Sequence, residues 1–342
     1  MKAIIACFLG LAFSISFSQA SLDPIPINEE STPSLEVSSN IGTNGFNFKV
    51  INAGINTKYS EIGTDVYRDR LVLVSSKKIG GAAKIDPNTN EAYTELFCSD
   101  ISENGSLSRS LLFSRILNTK DSEDHLAFSQ DQQTVYYTRS DKKNSLEFKL
   151  YKANLQEGTS GIWINHILVS LNKPNISIET PFINKTGNRL YFSSNMPGGH
   201  GGFDLYVSEI NIDGTLETPV NLGSAINTDK DEKYPALSLD NKHLFFSSKG
   251  HENMGGYDVF KSTISDNEYG SPTNLGTTLN TPFDEIAYFL IANNIGYVSS
   301  NRSGGNGGYD IFTVTNIDAT QTLSDNMLEV KNKQKNTTIT IQ

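Results

Sequence analysis

Between Phe46 and Thr315 the apolar residues fall in short runs that alternate with polar ones at a period of two. Leu190-Tyr191-Phe192-Ser193-Ser194, Tyr234-Pro235-Ala236-Leu237-Ser238 and Leu244-Phe245-Phe246-Ser247-Ser248 are examples. Such runs are separated by residues that favour tight reversals, as at Gly187-Asn188, Asp240-Asn241 and Asp213-Gly214. No window of helical period stands out. The pattern predicts an all-β chain of short antiparallel strands.

The runs also repeat. Leu190-Tyr191-Phe192-Ser193-Ser194 returns as Leu244-Phe245-Phe246-Ser247-Ser248 and as Gly296-Tyr297-Val298-Ser299-Ser300. Each is followed by a glycine-rich loop and another strand, beginning Gly201-Gly202-Phe203-Asp204, Gly255-Gly256-Tyr257-Asp258 and Gly307-Gly308-Tyr309-Asp310. A second signature precedes each unit. Asn221-Leu222-Gly223 leads to Asn227-Thr228 and Glu232, and Asn274-Leu275-Gly276 leads to Asn280-Thr281 and Glu285. Upstream copies are Asn52-Ala53-Gly54 with Asn56-Thr57 and Glu61, Asn118-Thr119 with Glu123, and a shorter one, Asn175 with Glu179.

Four short strands at a period near 55 residues spell a β-propeller blade. Five copies predict a five-bladed propeller of four-stranded antiparallel blades. The fifth copy lacks an outer strand, whereas the run from Phe46 to Ile51 is a spare one at the outer-strand position. The N-terminal strand is therefore expected to complete the last blade, which closes the ring and hides both edges.

Blades three to five resemble the TolB-type, WD-like propeller repeat through Tyr234 to Lys242, Leu244 to Ser248 and Gly255 to Phe260. Their Asn-Leu-Gly and Gly-Gly-Tyr-Asp copies look most like envelope proteins of Gram-negative bacteria, in which this propeller is often followed by an OmpA-like domain. The resemblance spans about residues 46 to 315 and implies a non-catalytic, protein-binding or scaffolding module of the cell envelope. The implied partner is an envelope protein or peptide, associated with the outer membrane. The alternative is a carbohydrate-active hydrolase or carbohydrate-binding propeller, because five-bladed propellers also host glycoside hydrolases.

The chain's ends fit export. Lys2, the apolar stretch Ala3 to Phe17 and the small-residue site ending at Ala20 predict a signal peptide over residues 1–20, with no transmembrane segment left in the mature chain. Residues 21–45 read as a linker, residues 46–315 as the propeller and residues 316–342 as a polar tail. The expected location is periplasmic, outer-membrane associated or secreted. After cleavage Cys98 is the only cysteine, within an apolar run, so neither a disulfide nor a cysteine zinc site is expected. A net charge of −10 without a basic patch argues against nucleic acid.

In a propeller the d–a and b–c loops share one face, and both signatures lie in them. Glu61, Glu123, Glu179, Glu232 and Glu285 are expected at the start of each innermost strand, as a ring near the channel mouth. Two roles fit: they accept hydrogen bonds from neighbouring backbone, or they bind a cation or a partner's lysine or arginine. Asn195, Lys249 and Arg302 follow the Ser-Ser runs on the same face and join the candidate binding set. Asp204, Asp258 and Asp310 follow paired glycines and read as turn locks. No metal, cofactor or catalytic residue is expected: the histidines lack ligand spacing, and the unrepeated acids Asp65, Asp69 and Asp124 have no evident partner.

Overall fold

The computed structural model describes residues 42–77, 85–87 and 92–317. The expected signal peptide, most of the linker, nearly all of the tail and the Gly80-Gly81-Ala82 loop lie outside the described residues.

Strand β1 is Phe48–Asn52. Blade 1 holds β2 (Glu61–Tyr67), β3 (Arg70–Ser75), β4 (Glu95–Asp100) and β5 (Leu111–Leu112). Blade 2 holds β6 (Glu123–Phe128), β7 (Thr134–Ser140), β8 (Phe148–Leu155) and β9 (Trp163–Leu168). Blade 3 holds β10 (Ile178–Ile183), β11 (Arg189–Ser194), β12 (Asp204–Glu209) and β13 (Val220–Asn221). Blade 4 holds β14 (Glu232–Leu237), β15 (His243–Ser248), β16 (Asp258–Ser265), a short extra strand β17 (Glu268–Tyr269) and β18 (Thr273–Asn274). Blade 5 holds β19 (Glu285–Ala292), β20 (Ile295–Ser300) and β21 (Asp310–Asn316). Every sheet is antiparallel, and the protein is a five-bladed β-propeller.

The first strands β2, β6, β10, β14 and β19 contact one another in turn around the axis. The ring closes as the repeat predicted: β1 pairs with β21 from Phe48↔Asn316 to Asn52↔Phe312, so the N-terminal strand is the outer strand of blade 5.

There is no single core. Hydrophobic clusters fill the seams between neighbouring blades, such as Tyr67, Val72 and Val74 of blade 1 against Leu126, Phe128 and Trp163 of blade 2. A comparable cluster joins Leu71, Leu73 and Phe97 of blade 1 to Phe289 and Tyr297 of blade 5. Each blade is thus covered on both faces. This explains why the second strands depart from strict alternation: Leu244, Phe245 and Phe246 are consecutive and all buried.

One feature of the inner strands is not evident from the pattern. Each carries a β-bulge, at Gly63/Asp65, Glu123/Leu126, Glu179/Phe182, Lys233/Ala236 and Ile286/Phe289. Thr180, Tyr234 and Ala287 take φ of 51°, 57° and 52° there, a conformation that non-glycine residues hold only when their surroundings impose it. Tyr234 N–H donates to Thr180 Oγ1 at 3.2 Å, and Gly63 N–H to Ser299 Oγ at 3.1 Å, so bulges are tied to neighbouring blades.

Closure gives a direct test. Ala53 N–H donates to the Ile311 carbonyl, and N–H direction alternates along a strand, so Ile51 N–H also faces β21. Ile51 itself is half exposed, so Ile51→Pro removes a closing hydrogen bond without disturbing a seam. Urea unfolding should show a loss of about 1–3 kcal/mol, with increased aggregation from the freed edge. An unchanged midpoint would show that β1 does not hold the ring.

Candidate functional site

The face built by the d–a and b–c loops is held by a repeated polar clamp. In every connection between blades an asparagine amide pairs with both backbone groups of one residue in the preceding blade. Asn56 bonds Ile311 N and O at 2.8 and 2.8 Å, and Asn118 bonds Leu96 at 2.7 and 3.0 Å. Asn172 bonds Leu150 at 2.9 and 2.7 Å, Asn227 bonds Leu205 at 2.8 and 3.0 Å, and Asn280 bonds Val259 at 2.9 and 3.0 Å. The amide imitates a strand partner and satisfies backbone groups that a loop would leave bare.

The next residue of the clamp is the threonine. Thr57, Thr119, Thr228 and Thr281 each donate their N–H and hydroxyl to the glutamate four residues on, at 2.6 to 3.0 Å. Ser75, Ser248 and Ser300, at the ends of the second strands, donate to the same carboxylates in blades 1, 4 and 5. Arg139 takes the place of that serine in blade 2, bonding Glu123 at 3.0 Å and the Leu117 carbonyl at 2.9 Å.

Of the two roles open to these glutamates, the arrangement fits hydrogen-bond acceptance, from the threonine of their own connection. Glu61, Glu123, Glu232 and Glu285 do start their inner strands, but each is 0% exposed and turned into its loop. They offer no surface to a partner. The expected copy in blade 3, Asn175 with Glu179, was also out of register. Ile178 pairs with Ser194 as the glutamates pair with their serines or Arg139, so Ile178 occupies the clamp position and Glu179 follows it. Asn172, not Asn175, supplies the clamping amide there. With no carboxylate at this position, buried Lys149 enters instead and donates to the Ile176 and Lys173 carbonyls at 2.7 and 3.1 Å.

The other singled-out residues brace the same loops. Asp204 accepts the N–H groups of His200 and Gly201 and the Asn221 amide. Asp258 accepts Met254 N–H and the Asn274 amide, and Asp310 accepts Asn306 N–H. The glycines beside them are required by close approach: a Cβ on Gly201, Gly255 or Gly307 would overlap the carbonyl oxygen of Lys230, Phe283 or Tyr59 in the next connection. Asn195 Oδ1 accepts Ser177 N–H at 2.8 Å. Arg302 bonds Glu285 at 3.2 Å and the Leu279 carbonyl at 2.9 Å. Lys249 stays at the rim, 3.4 Å from Asp231 and 4.5 Å from the Tyr257 ring centre.

What differs between blades is the residue after the clamp position, which faces the other way. It is Ile62, Asp124, Glu179, Lys233 and Ile286 in blades 1 to 5. Glu179 accepts Lys233 Nζ at 2.7 Å and Ser177 Oγ at 2.7 Å. Lys233 lies 3.6 Å from the Phe203 ring centre. Asp124 bonds His125 Nδ1 at 2.8 Å. Burial pushes the Asp124 carboxyl up, but His125 and the nearby Lys233 ammonium outweigh it and leave its pKa below the ordinary value. Tyr234, Tyr257 and Tyr309 stand beside these groups, with the Tyr309 hydroxyl on Asp284 at 2.7 Å. Thr64, His125, Thr180, Tyr234, Ala287 and Tyr288, one or two from the inner strand of each blade, are among the residues around a cavity of about 20 Å³. That is room for about one water.

The sequence offers Glu179 only as a member of the glutamate ring and Asp124 only as an acid without an evident partner, and Lys233 carries no repeat signature. The available signal was the variable position next to an invariant one, which the misplaced third copy obscured. Asp65, another unrepeated acid, bridges Val66 and Phe128 N–H groups at 2.7 and 2.9 Å, and burial raises its pKa to about 6.

The buried carboxylates make stability depend on pH. Burial raises the Glu123 pKa from 4.5 to about 7 against the pull of Thr119 and Arg139, and its Oε2 has no hydrogen-bond partner. The native state then keeps a proton that the unfolded chain releases above pH 4.5, so this stabilisation is full below that pH and is lost as pH rises through about 7. Glu123→Gln cannot titrate. Unfolding free energies from urea titrations between these limits should fall less steeply with pH in the variant, by up to about 1.4 kcal/mol per pH unit. Parallel slopes would contradict the assignment.

Comparison with known proteins places the fold without placing a family. No known family matches the chain, and no curated protein sequence matches it. Solved structures do. TolB from Acinetobacter baumannii is similar at 12% identity and a TM-score of 0.40, over 80% of this chain and 65% of that one. Bacillus subtilis arabinanase Arb43A is similar at 10% identity and 0.46, over 78% and 95%. CoXyl43, a β-xylosidase/α-arabinofuranosidase from a compost microbial metagenome crystallised with xylotriose, is similar at 11% identity and 0.50, over 78% and 92%. At such identities the likeness is one of propeller fold.

Proposed function

We propose that the chain is a non-catalytic binding propeller of the cell envelope, and that the mouth of its loop face seats a charged segment of a partner protein. The observation that carries this reading is the break in symmetry at Asp124, Glu179 and Lys233. The surrounding clamp recurs from connection to connection; these three residues do not repeat. Aromatic side chains wall the mouth, a composition suited to a protein interface. The small cavity among the inner strands, about 20 Å³, has no room for a side chain, which favours a partner that rests on the face.

The same mouth argues against hydrolysis. A glycosidase needs a carboxyl with a raised pKa beside an ionised one. Of the raised carboxyls, Glu123 and Glu285, both at about 7, are sealed in the clamps, and Asp65, at about 6, is held by the Val66 and Phe128 N–H groups. At the mouth Asp124 is held low and Glu179 is ion-paired. Two carboxylates on neighbouring blades beside aromatic rings are nevertheless the observation that favours the carbohydrate reading, so the test includes it. Export to the envelope is part of the proposal and rests on the N-terminal sequence.

The test compares the intact chain with Asp124→Asn/Glu179→Gln, after matched circular dichroism and melting. Cross-linked capture from an envelope fraction should recover a specific protein with the intact chain and about tenfold less with the variant. Equal recovery by both would remove the mouth from the interface. Cleavage of xylotriose or arabinan oligosaccharides by the intact chain and not by the variant would replace the binding reading with the hydrolase one.

A further inference from the structure

A second cleft lies between the outer parts of blades 3 and 4. At the turn ends of blades 3 and 4 a cleft of about 630 Å³ separates the outer edge of one blade from a hairpin of the next. The blade 3 wall consists of Val207 and Glu209 of β12 and the segment from Glu217 to Leu222 that includes β13. The blade 4 wall is the β16–β17 hairpin, paired at Ile264↔Tyr269 and Ser265↔Glu268. Its turn residues Asp266 and Asn267 have φ of 50° and 68°, the pair of left-handed conformations that suits a tight two-residue hairpin.

The cleft is braced before anything binds. Arg189 Nη1 donates to Asn267 Oδ1 at 2.6 Å, and its Nη2 lies 3.6 Å from Glu209. The Tyr269 hydroxyl meets the Tyr191 hydroxyl of blade 3 at 3.3 Å. Such bracing lowers the ordering that a ligand would otherwise have to impose.

Its chemistry has two parts. Val207, Val220, Leu222 and Tyr269 give an apolar surface, on which Val220 is 63% exposed. Around them stand three carboxylates, Glu209, Glu217 and Glu268, against the one guanidinium of Arg189. Glu209 already faces Arg189, and Glu217 accepts the neutral amide of Asn211 at 2.8 Å. The excess charge is therefore negative. Pro219, immediately before β13, has no N–H to offer, so this edge is poorly suited to adding a strand from a second copy. Recognition must come from side chains.

We propose that this cleft docks an extended segment of a partner protein in which lysine or arginine alternates with aliphatic residues. Aliphatic side chains pack on Val220 and Tyr269, while the cations reach Glu217 and Glu268. This site is independent of the mouth, and its failure leaves the mouth reading untouched.

The probe is a fluorescein-labelled peptide of alternating lysine and valine, titrated by anisotropy against the full chain. A glutamate–valine peptide serves as the charge-reversed control. Two variants are used, Glu217→Gln/Glu268→Gln and Val220→Ser, both at exposed positions and checked for unchanged melting. The lysine peptide should bind, weaken with added salt, and lose about tenfold in affinity with either variant. The glutamate peptide should not bind. The proposal is overturned if the lysine peptide does not bind, binds the variants equally, or is lost only on substitution of Asp124 and Glu179. It is also overturned if sedimentation shows the chain pairing with itself through this cleft in place of the peptide.

Discussion

In four of the five blades a fully buried glutamate takes the amide and hydroxyl of the threonine four residues before it, while a nearby asparagine grips the backbone of the preceding blade. Everything else depends on this joint. A propeller blade shares no ladder with its neighbours, so seam packing alone would let blades slide past one another. The clamp fixes their register, because a two-way amide pairing has one geometry. Ring closure by β1 then locks five joints at once. A carboxylate in such a place must be surrounded by donors, and where donors fall short, as at Glu123 Oε2, burial raises the pKa.

The joint also decides where function can reside. Side chains at the clamp position turn into the loop, and the following residue turns to the axis. The first position is committed to structure in all blades, even blade 3, where Ile178 and Lys149 replace the carboxylate with an apolar residue and a lysine. The second position is free to vary. Asp124, Glu179 and Lys233 use that freedom on three consecutive blades, while Ile62 and Ile286 leave the other two apolar.

The blade count, strand order and closing strand were legible because they rest on turn chemistry and repeat length, which are local. The burial of the glutamates was not. The glutamate starts the inner strand in four blades, but its direction depends on the threonine four residues earlier, which folds the side chain back into its loop. The Asn175–Glu179 copy misled for a related reason. The connection into blade 3 departs from the common spacing, so the true partner Asn172 and the true clamp position Ile178 fell outside the motif. At Gly201, Gly255 and Gly307 the decisive constraint is a carbonyl from the next blade's connection, which no single copy of the repeat identifies. The bulges of the inner strands leave no signature that a single blade reveals.

Hydrogen exchange at the backbone amides of Thr57, Thr119, Thr228 and Thr281 tests the central claim most directly. Loop amides ordinarily exchange through small local openings. If the clamps are the joints of the ring, these four should exchange no faster than the amides of β15 and β20, opening only with global unfolding. Rapid exchange at the threonines while those strands stay protected would show that the blades are held by their seams alone, and the account given for the glutamates would be wrong.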